Sequence, residues 1–122
     1  MSEGTEIDII SEENIYEKIY IIRGQKVMLD FELAEIYGYT TKAFNQQVKN
    51  NKERFDEDFR FKLTREEVKN LRSKNLTSSW GGSRYLPYVF TEQGIYMLMT
   101  VLKGDLAIRQ SKALIRPFKS PY

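Results

Sequence analysis

One segment constrains the fold of this chain more than any other: residues 27–51, VMLDFELAEIYGYTTKAFNQQVKNN. Apolar residues at helical spacing precede Gly38, and a second helical pattern follows it. Glycine adopts the left-handed backbone conformation that ends a helix without a side-chain clash. The segment therefore predicts two short helices joined by a tight turn at Gly38, which is the layout of a helix-turn-helix.

The ends and faces of these two helices can be assigned from single residues. Asp30 is predicted to cap the first helix, because its carboxylate can accept from the free amides of the opening turn. Thr40 or Thr41 is the matching cap of the second helix. Residues predicted to face inward from the second helix are Ala43, Phe44 and Val48.

The other face of the second helix is rich in groups that hydrogen-bond to nucleic acid. Asparagine and glutamine can bond bidentately to adenine, and lysine suits guanine edges or phosphates. Amide-rich helix faces are also often merely solvated, so the pattern leaves both interpretations open. On the first interpretation, the residues nearest base edges are Thr41, Lys42, Asn45, Gln46 and Lys49.

Further polar and basic side chains are candidate phosphate contacts, which position a protein on DNA without reading its sequence. Those that follow the second helix could instead interact favourably with the helix C-terminus. The basic segment from Arg60 to Lys74 could instead be a solvated surface, and the glycine-bearing segment 73–84 reads as a loop that could act as a wing. The predicted phosphate contacts are Asn50, Lys52, Arg54, Lys69, Arg72 and Arg84.

The net charge of +2 conceals an uneven distribution along the chain. Residues 1–17 carry six acidic side chains and no basic one, so the remainder holds all 19 basic residues against 11 acidic residues, a net charge of +8. A basic folded part behind an acidic segment suits a polyanionic partner. Basic surfaces also serve solubility alone, and the charge is therefore supporting evidence only.

The remaining segments alternate between strand and helix patterns. Residues 15–22, IYEKIYII, and a turn at residues 23–26 predict a β-hairpin, and the alternation of FDEDFRFKL predicts a half-buried strand. Pro87 in RYLPYVF predicts an edge or bulged strand. Thr64 with Glu67 forms a capping box. Thr91 should cap a further helix that ends at Gly104, and the last helix should begin with a cap at Asp105 and stop at Pro117.

Four pieces of the chain, RGQKVMLD, LAEIYG, NKERFDEDFRF and LPYVFTEQG, carry a resemblance to a known family. Residues 15–118 resemble the phage open-reading-frame-six-type N-terminal domain, which is related to the KilA-N and Bro-N domains. The resemblance implies sequence-directed binding of double-stranded DNA within a phage or prophage antirepressor-like transcriptional regulator. One departure is Asp56, which stands where the pattern has proline.

We therefore expect a small single α+β domain: a helix-turn-helix, a β-hairpin with short antiparallel strands, and C-terminal helices. Residues 1–14 are expected to be a disordered acidic tail and residues 15–122 a KilA-N-like DNA-binding domain. The last helices, 91–117, contain enough apolar residues to contribute some to a homodimer interface. A module that binds a repressor protein, with the acidic tail as one contact, is the alternative function.

Other classes of function are disfavoured by what the chain contains. It has no histidine and no cysteine, which removes the usual general base and the usual zinc ligands. The acidic run Asp56–Asp58 could hold magnesium for a nuclease, but such runs are usually solvated turns. We expect no enzyme activity, cofactor, metal or small-molecule substrate. With no apolar run near the roughly 20 residues of a membrane span, we expect a protein of the bacterial or phage-infected cytoplasm.

Overall fold

The computed structural model describes residues 8–74 and 85–119, which form an α+β domain. Six α-helices and four strands occur in these residues. Their order is α1 (Glu12–Tyr16), β1 (Tyr20–Ile22), β2 (Gln25–Leu29), α2 (Asp30–Tyr37), α3 (Thr41–Lys49), β3 (Arg60–Lys62), α4 (Arg65–Lys74), β4 (Tyr88–Phe90), α5 (Glu92–Val101) and α6 (Asp105–Phe118). A short 3-10 helix, Lys52–Arg54, lies between α3 and β3.

The four strands form one antiparallel sheet with the order β1-β2-β4-β3. Successive strand residues point to opposite faces of a sheet. Met28 and Phe90 therefore lie in one core, with residues of α1, α2, α3, α5 and α6. Phe61 and Val89 lie in a second core, with Val68 of α4. We call the two sides the helical face and the α4 face.

A two-residue turn connects β1 and β2. Arg23 and Gly24 both have positive φ, 54° and 76°, which is the backbone of a type I′ hairpin turn. The predicted hairpin is confirmed, but its boundaries were wrong. Gln25 and Lys26 belong to β2 rather than to the turn, and β1 has three residues rather than eight.

Residues 8–14 of the acidic N-terminal segment have defined structure, which corrects the expectation of a disordered tail for this part of residues 1–14; residues 1–7 lie outside the described residues. Ser11 caps α1 by accepting from the Asn14 amide, and Ile15 is fully buried in the core. Gln110 of α6 donates to the carbonyl oxygen of Asp8 and accepts from the amide of Ile10. The segment is thus attached to α6, a partner about 100 residues away that local sequence does not reveal.

β3 and α4 follow the predicted pattern. Phe61 and Leu63 are buried, whereas Lys62 is exposed, as the alternation indicates. The capping box is confirmed by two reciprocal bonds: the Glu67 amide donates to Thr64 Oγ1, and the Thr64 amide donates to Glu67 Oε1. The helix then places Val68 against the sheet.

The prediction for Pro87 was wrong, because β4 is an interior strand between β2 and β3. Pro87 immediately precedes the strand, where its missing N–H is not needed by the ladder, and its carbonyl oxygen accepts from the Leu63 amide at 3.0 Å. Thr91 then caps α5 as predicted, by accepting from the Gly94 amide.

The ends of the last two helices differ from the predictions. α5 ends at Val101, and Gly104 rather than Asp105 occupies the N-cap position of α6. Pro117 lies inside the last turn of α6 rather than beyond it. Most apolar residues of the two helices are buried in this chain's own core, whereas Tyr96 and Ile108 are 41% and 42% exposed.

Candidate nucleic-acid interface

The turn between α2 and α3 is built as the sequence predicts. Gly38 has φ 81°, the left-handed conformation, and its amide donates to Glu35 while the Tyr39 amide donates to Ala34 at 2.8 Å. These bonds close the end of α2. Thr40 caps α3 by accepting from the Ala43 amide at 3.1 Å. The direction of α3 is therefore fixed by local chemistry at both sides of the turn.

The inward face of α3 is apolar and fully buried. Phe44 and Val48 have no exposed surface, and the Phe44 ring lies edge-on to Phe90 of β4 with centroids 5.6 Å apart. The prediction for these two residues is confirmed. The prediction for Ala43 was wrong, because it lies on the exposed side of the helix.

The outward face of α3 carries lysines and amides. Lys42, Gln46, Lys49 and Asn50 are exposed, whereas Thr41 is half-buried. The chain has no acidic residue between Glu35 and Glu53, so no negative charge from α3 opposes an anionic ligand. Gln46 Nε2 donates to Asn50 Oδ1 at 2.9 Å, which holds the Gln46 amide in place and leaves its oxygen free to accept.

Asn45 does not share this outward face, which corrects its assignment to a base edge. It is half-buried, and its Nδ2 donates to Asp30 Oδ2 at 3.0 Å. Its Oδ1 is buried and has no hydrogen-bond partner among the described residues. In this structure the side chain therefore joins α3 to α2 rather than pointing toward a ligand.

Asp30 is the centre of this contact and is 1% exposed. It is the first residue of α2 and not a cap, because the capping position belongs to Leu29. Both carboxylate oxygens accept from the Tyr85 hydroxyl at 2.7 Å, and Oδ2 also accepts from the Tyr88 amide at 3.2 Å. Burial, followed by the hydrogen bond to Asp30, raises the pKa of Tyr85 well above its ordinary value.

A profile of the ORF6N domain matches residues 17–101, well over half of the chain. The chain belongs to the ORF6N domain family. The match includes the α2–turn–α3 unit and the whole sheet and ends where α5 ends, so the resemblance inferred from sequence is confirmed. Membership makes the chain a phage-type regulatory domain. Searches among curated proteins and among solved structures gave no match.

The basic residues after α3 in this ORF6N domain are exposed. Lys52 and Arg54 lie on the 3-10 helix, and Arg54 donates to the Thr100 hydroxyl of α5 at 3.0 Å. This bond links the 3-10 helix that follows α3 to α5. Asn50 is the C-terminal capping residue of α3, and Lys52 and Arg54 follow it in the chain, so the three residues stay predicted phosphate contacts.

The basic residues of α4 lie elsewhere. Lys69 and Arg72 line a groove of about 200 Å³ with Arg65, Val68 and Leu86. Since Val68 packs on the α4 face and Phe44 on the helical face, the sheet separates this groove from α3. The structure does not bring these two predicted phosphate contacts together with the others. The loop was predicted at residues 73–84; residues 73 and 74 belong to α4, and residues 75–84, with Arg84, lie outside the described residues.

The sequence placed Arg60 and Lys62 in a basic segment that could bind flanking phosphates, but they were not among the predicted phosphate contacts. The strand register pairs Arg60 with Phe90 and Lys62 with Tyr88. The Arg60 and Lys62 side chains therefore lie on the helical face of the sheet, which is the side on which α3 packs. The alternation in FRFKL was the available signal. What it could not supply was the neighbouring strand, which comes from 26 residues later in the chain.

Neither a metal site nor a membrane-spanning helix is found in residues 8–74 and 85–119. No three acidic side chains in these ranges converge closely enough to hold a metal ion, and this includes the acidic run before β3. None of the helices formed by the described residues is both long and apolar enough to cross a membrane.

Proposed function

We propose that this ORF6N domain binds double-stranded DNA by placing α3 in the major groove, as the DNA-binding part of a phage antirepressor-like transcriptional regulator. The observation that carries the proposal is the division of α3 into two faces. Phe44 and Val48 anchor it in the core, while Lys42, Gln46 and Lys49 project outward with no acidic neighbour on the helix. The short glycine turn and α2 then act as the brace of a helix-turn-helix.

Gln46 is the residue best suited to read a base. It follows Lys42 by one helical turn, and both lie opposite the buried side chains. Adenine in the major groove offers one acceptor and one donor, which a glutamine amide can match with its nitrogen and oxygen together. Its bond to Asn50 uses one of the two amide hydrogens, so a donor and an acceptor remain for the base. Asn50 therefore orients the amide before DNA arrives.

Lysines and arginine beside the helix supply the electrostatic part of binding. Lys42 and Lys49 can reach guanine edges or phosphates, while Lys52 and Arg54 bind flanking phosphates. Each phosphate neutralised adds roughly −0.9 to the slope of log affinity against log salt. We leave Asn45 out of the base contacts because Asp30 holds it, and we leave Lys69 and Arg72 out of this surface because the sheet separates them from α3.

Selection of random duplex oligonucleotides by the 122-residue chain, at two salt concentrations, tests the proposal. We expect one motif to be enriched at both salt concentrations, with weaker recovery at the higher one. Uniform recovery of all sequences, lost at high salt, would contradict base reading. No recovery of duplex at low salt would contradict DNA binding altogether and would favour the alternative, a module that binds a repressor protein.

A further inference from the structure

We propose that the sheet edge next to α3 forms a second contact with duplex DNA, in which Arg60 and Lys62 bind phosphates of the backbone. The inference rests on the proposed function, and it adds residues that neither the helix-turn-helix pattern nor the family match assigns. β3 is the outer strand of the sheet on this side, and there Lys62 is exposed and Arg60 is half-buried.

The two cations converge on one aromatic ring. They flank Phe61, which points to the α4 face, so both point to the helical face. The Arg60 guanidinium carbon lies 4.0 Å from the centroid of the Tyr88 ring, and Lys62 Nζ lies 5.8 Å from it. Contact with an aromatic face fixes the position of a cation and leaves its N–H groups available. The arrangement is a preorganised pair of positive charges.

Neither cation is paired with a carboxylate among the residues that the structure describes. Of the ion pairs made by residues 8–74 and 85–119, none includes Arg60 or Lys62. Arg60 is half-buried, and this burial lowers its pKa. Asp30 acts on Arg60 electrostatically, but its oxygens already accept from Asn45, Tyr85 and the Tyr88 amide. A partly desolvated cation without a bonded anion has most to gain from an external phosphate.

The pair lies beside the flank of α3 that carries the lysines. The Tyr88 amide and Asn45 Nδ2 bond to the same oxygen of Asp30, so β4 and α3 meet at that carboxylate. Lys42 and Lys49 are three residues before and four residues after Asn45, and therefore lie next to it on the helix surface. The α3 lysines and the Arg60–Lys62 pair thus lie on the two sides of this junction.

A duplex provides the matching pattern of negative charge. When a helix lies in the major groove, the protein surface beside it faces the phosphates that border the groove. The rigid fork of arginine binds phosphate oxygens bidentately, and lysine adds a point charge. Phosphate is recognised here without any base contact, so the contribution to affinity is the same for every sequence.

The test compares the double variant Arg60→Gln/Lys62→Gln with the control Lys112→Gln/Arg116→Gln. The control removes the same two charges from exposed positions on α6, which packs on α1, α2 and α5. Fluorescence anisotropy with the selected duplex and with an unrelated duplex is measured over a series of salt concentrations. Since Arg60 is half-buried, the single variant Lys62→Gln is measured as well; Lys62 is exposed, so the chain should fold normally.

We expect the salt slope of the double variant to be shallower than that of the control by about 1.8, and that of Lys62→Gln by about 0.9. Affinity should fall by the same factor for both duplexes, leaving the preference between them unchanged. A slope and affinity equal to the control for Lys62→Gln and the double variant would overturn the inference while DNA binding by the wild type stands. If the wild type binds no duplex, the proposed function fails first.

Discussion

Replacing Asp30 should destabilise the domain more than any other change of an acidic residue in α2. Alanine at this position leaves three donors without an acceptor: the Tyr85 hydroxyl, Asn45 Nδ2 and the Tyr88 amide. A buried donor left unpaired costs about 1–3 kcal/mol. Because Asn45 and Tyr85 are half-buried and regain some water, we expect a total loss of about 3–4 kcal/mol. That is a large part of the roughly 5–15 kcal/mol that stabilises a typical domain.

Urea unfolding followed by far-ultraviolet circular dichroism measures this loss. Glu35→Ala is the matched control, since Glu35 is an exposed acid of the same helix, and it should change the free energy of unfolding by no more than about 0.5 kcal/mol. Asp30→Asn keeps one acceptor oxygen and should lie between the two. An Asp30→Ala variant within about 1 kcal/mol of the Glu35→Ala control would refute the idea that this carboxylate joins α2, α3 and β4.

Three further changes test other parts of the structure. Burial raises the pKa of Glu32 to about 7 from 4.5. Between these pH values the folded state keeps a proton that the unfolded chain releases, so the free energy of unfolding should fall as the pH rises. Glu32→Gln should remove that fall and should be more stable than the wild type at pH 8 by about 1–3 kcal/mol. Gly94→Ala should lower the free energy of unfolding by at least about 2 kcal/mol, because a Cβ there overlaps the Phe59 carbonyl oxygen, which Thr91 holds in place. Lys69→Gln should leave the salt slope of DNA binding unchanged, because the sheet separates Lys69 from α3.

Unfolding titrations over a range of pH check the first change, and wild-type and Glu32→Gln curves with the same pH dependence would contradict it. Thermal unfolding checks Gly94→Ala, where an unchanged midpoint would show that the backbone at Phe59, just before β3, can move away. For Lys69→Gln, a slope shallower by about 0.9 would place α4 in the DNA interface after all.

Local signals in the sequence predicted the central unit of the fold. Gly38 and Thr40 end one helix and begin the next through bonds to residues within five positions, so their roles can be read directly from the chain. The Thr64–Glu67 capping box and the alternation of β3 are equally local. The family resemblance, confirmed over residues 17–101, extended this reading to the whole domain.

Errors arose where a residue's role depends on a distant partner. Asp30 has the chemistry of a helix cap, but Tyr85, 55 residues away, makes it a buried acceptor instead. Asn45 has the chemistry of a base-reading residue, yet Asp30 turns it inward. The acidic segment before β1 is a similar case, because it is bonded to Gln110 of α6, which lies about 100 residues later in the sequence. Such contacts follow from the completed fold and leave no periodic trace in the sequence.

The most direct measurement of the central claim is oligonucleotide selection repeated with Gln46→Ala and with Gln93→Ala. Gln93 is also an exposed helical glutamine, but it lies in the first turn of α5. The part of α5 that contacts the chain just after α3, through the Arg54–Thr100 bond, is the opposite end of that helix. We expect Gln46→Ala to lose preference at one base pair and about 1–3 kcal/mol on the wild-type site, and Gln93→Ala to select the wild-type motif. If both variants recover the same motif with the same affinity, α3 does not read DNA through its outward face.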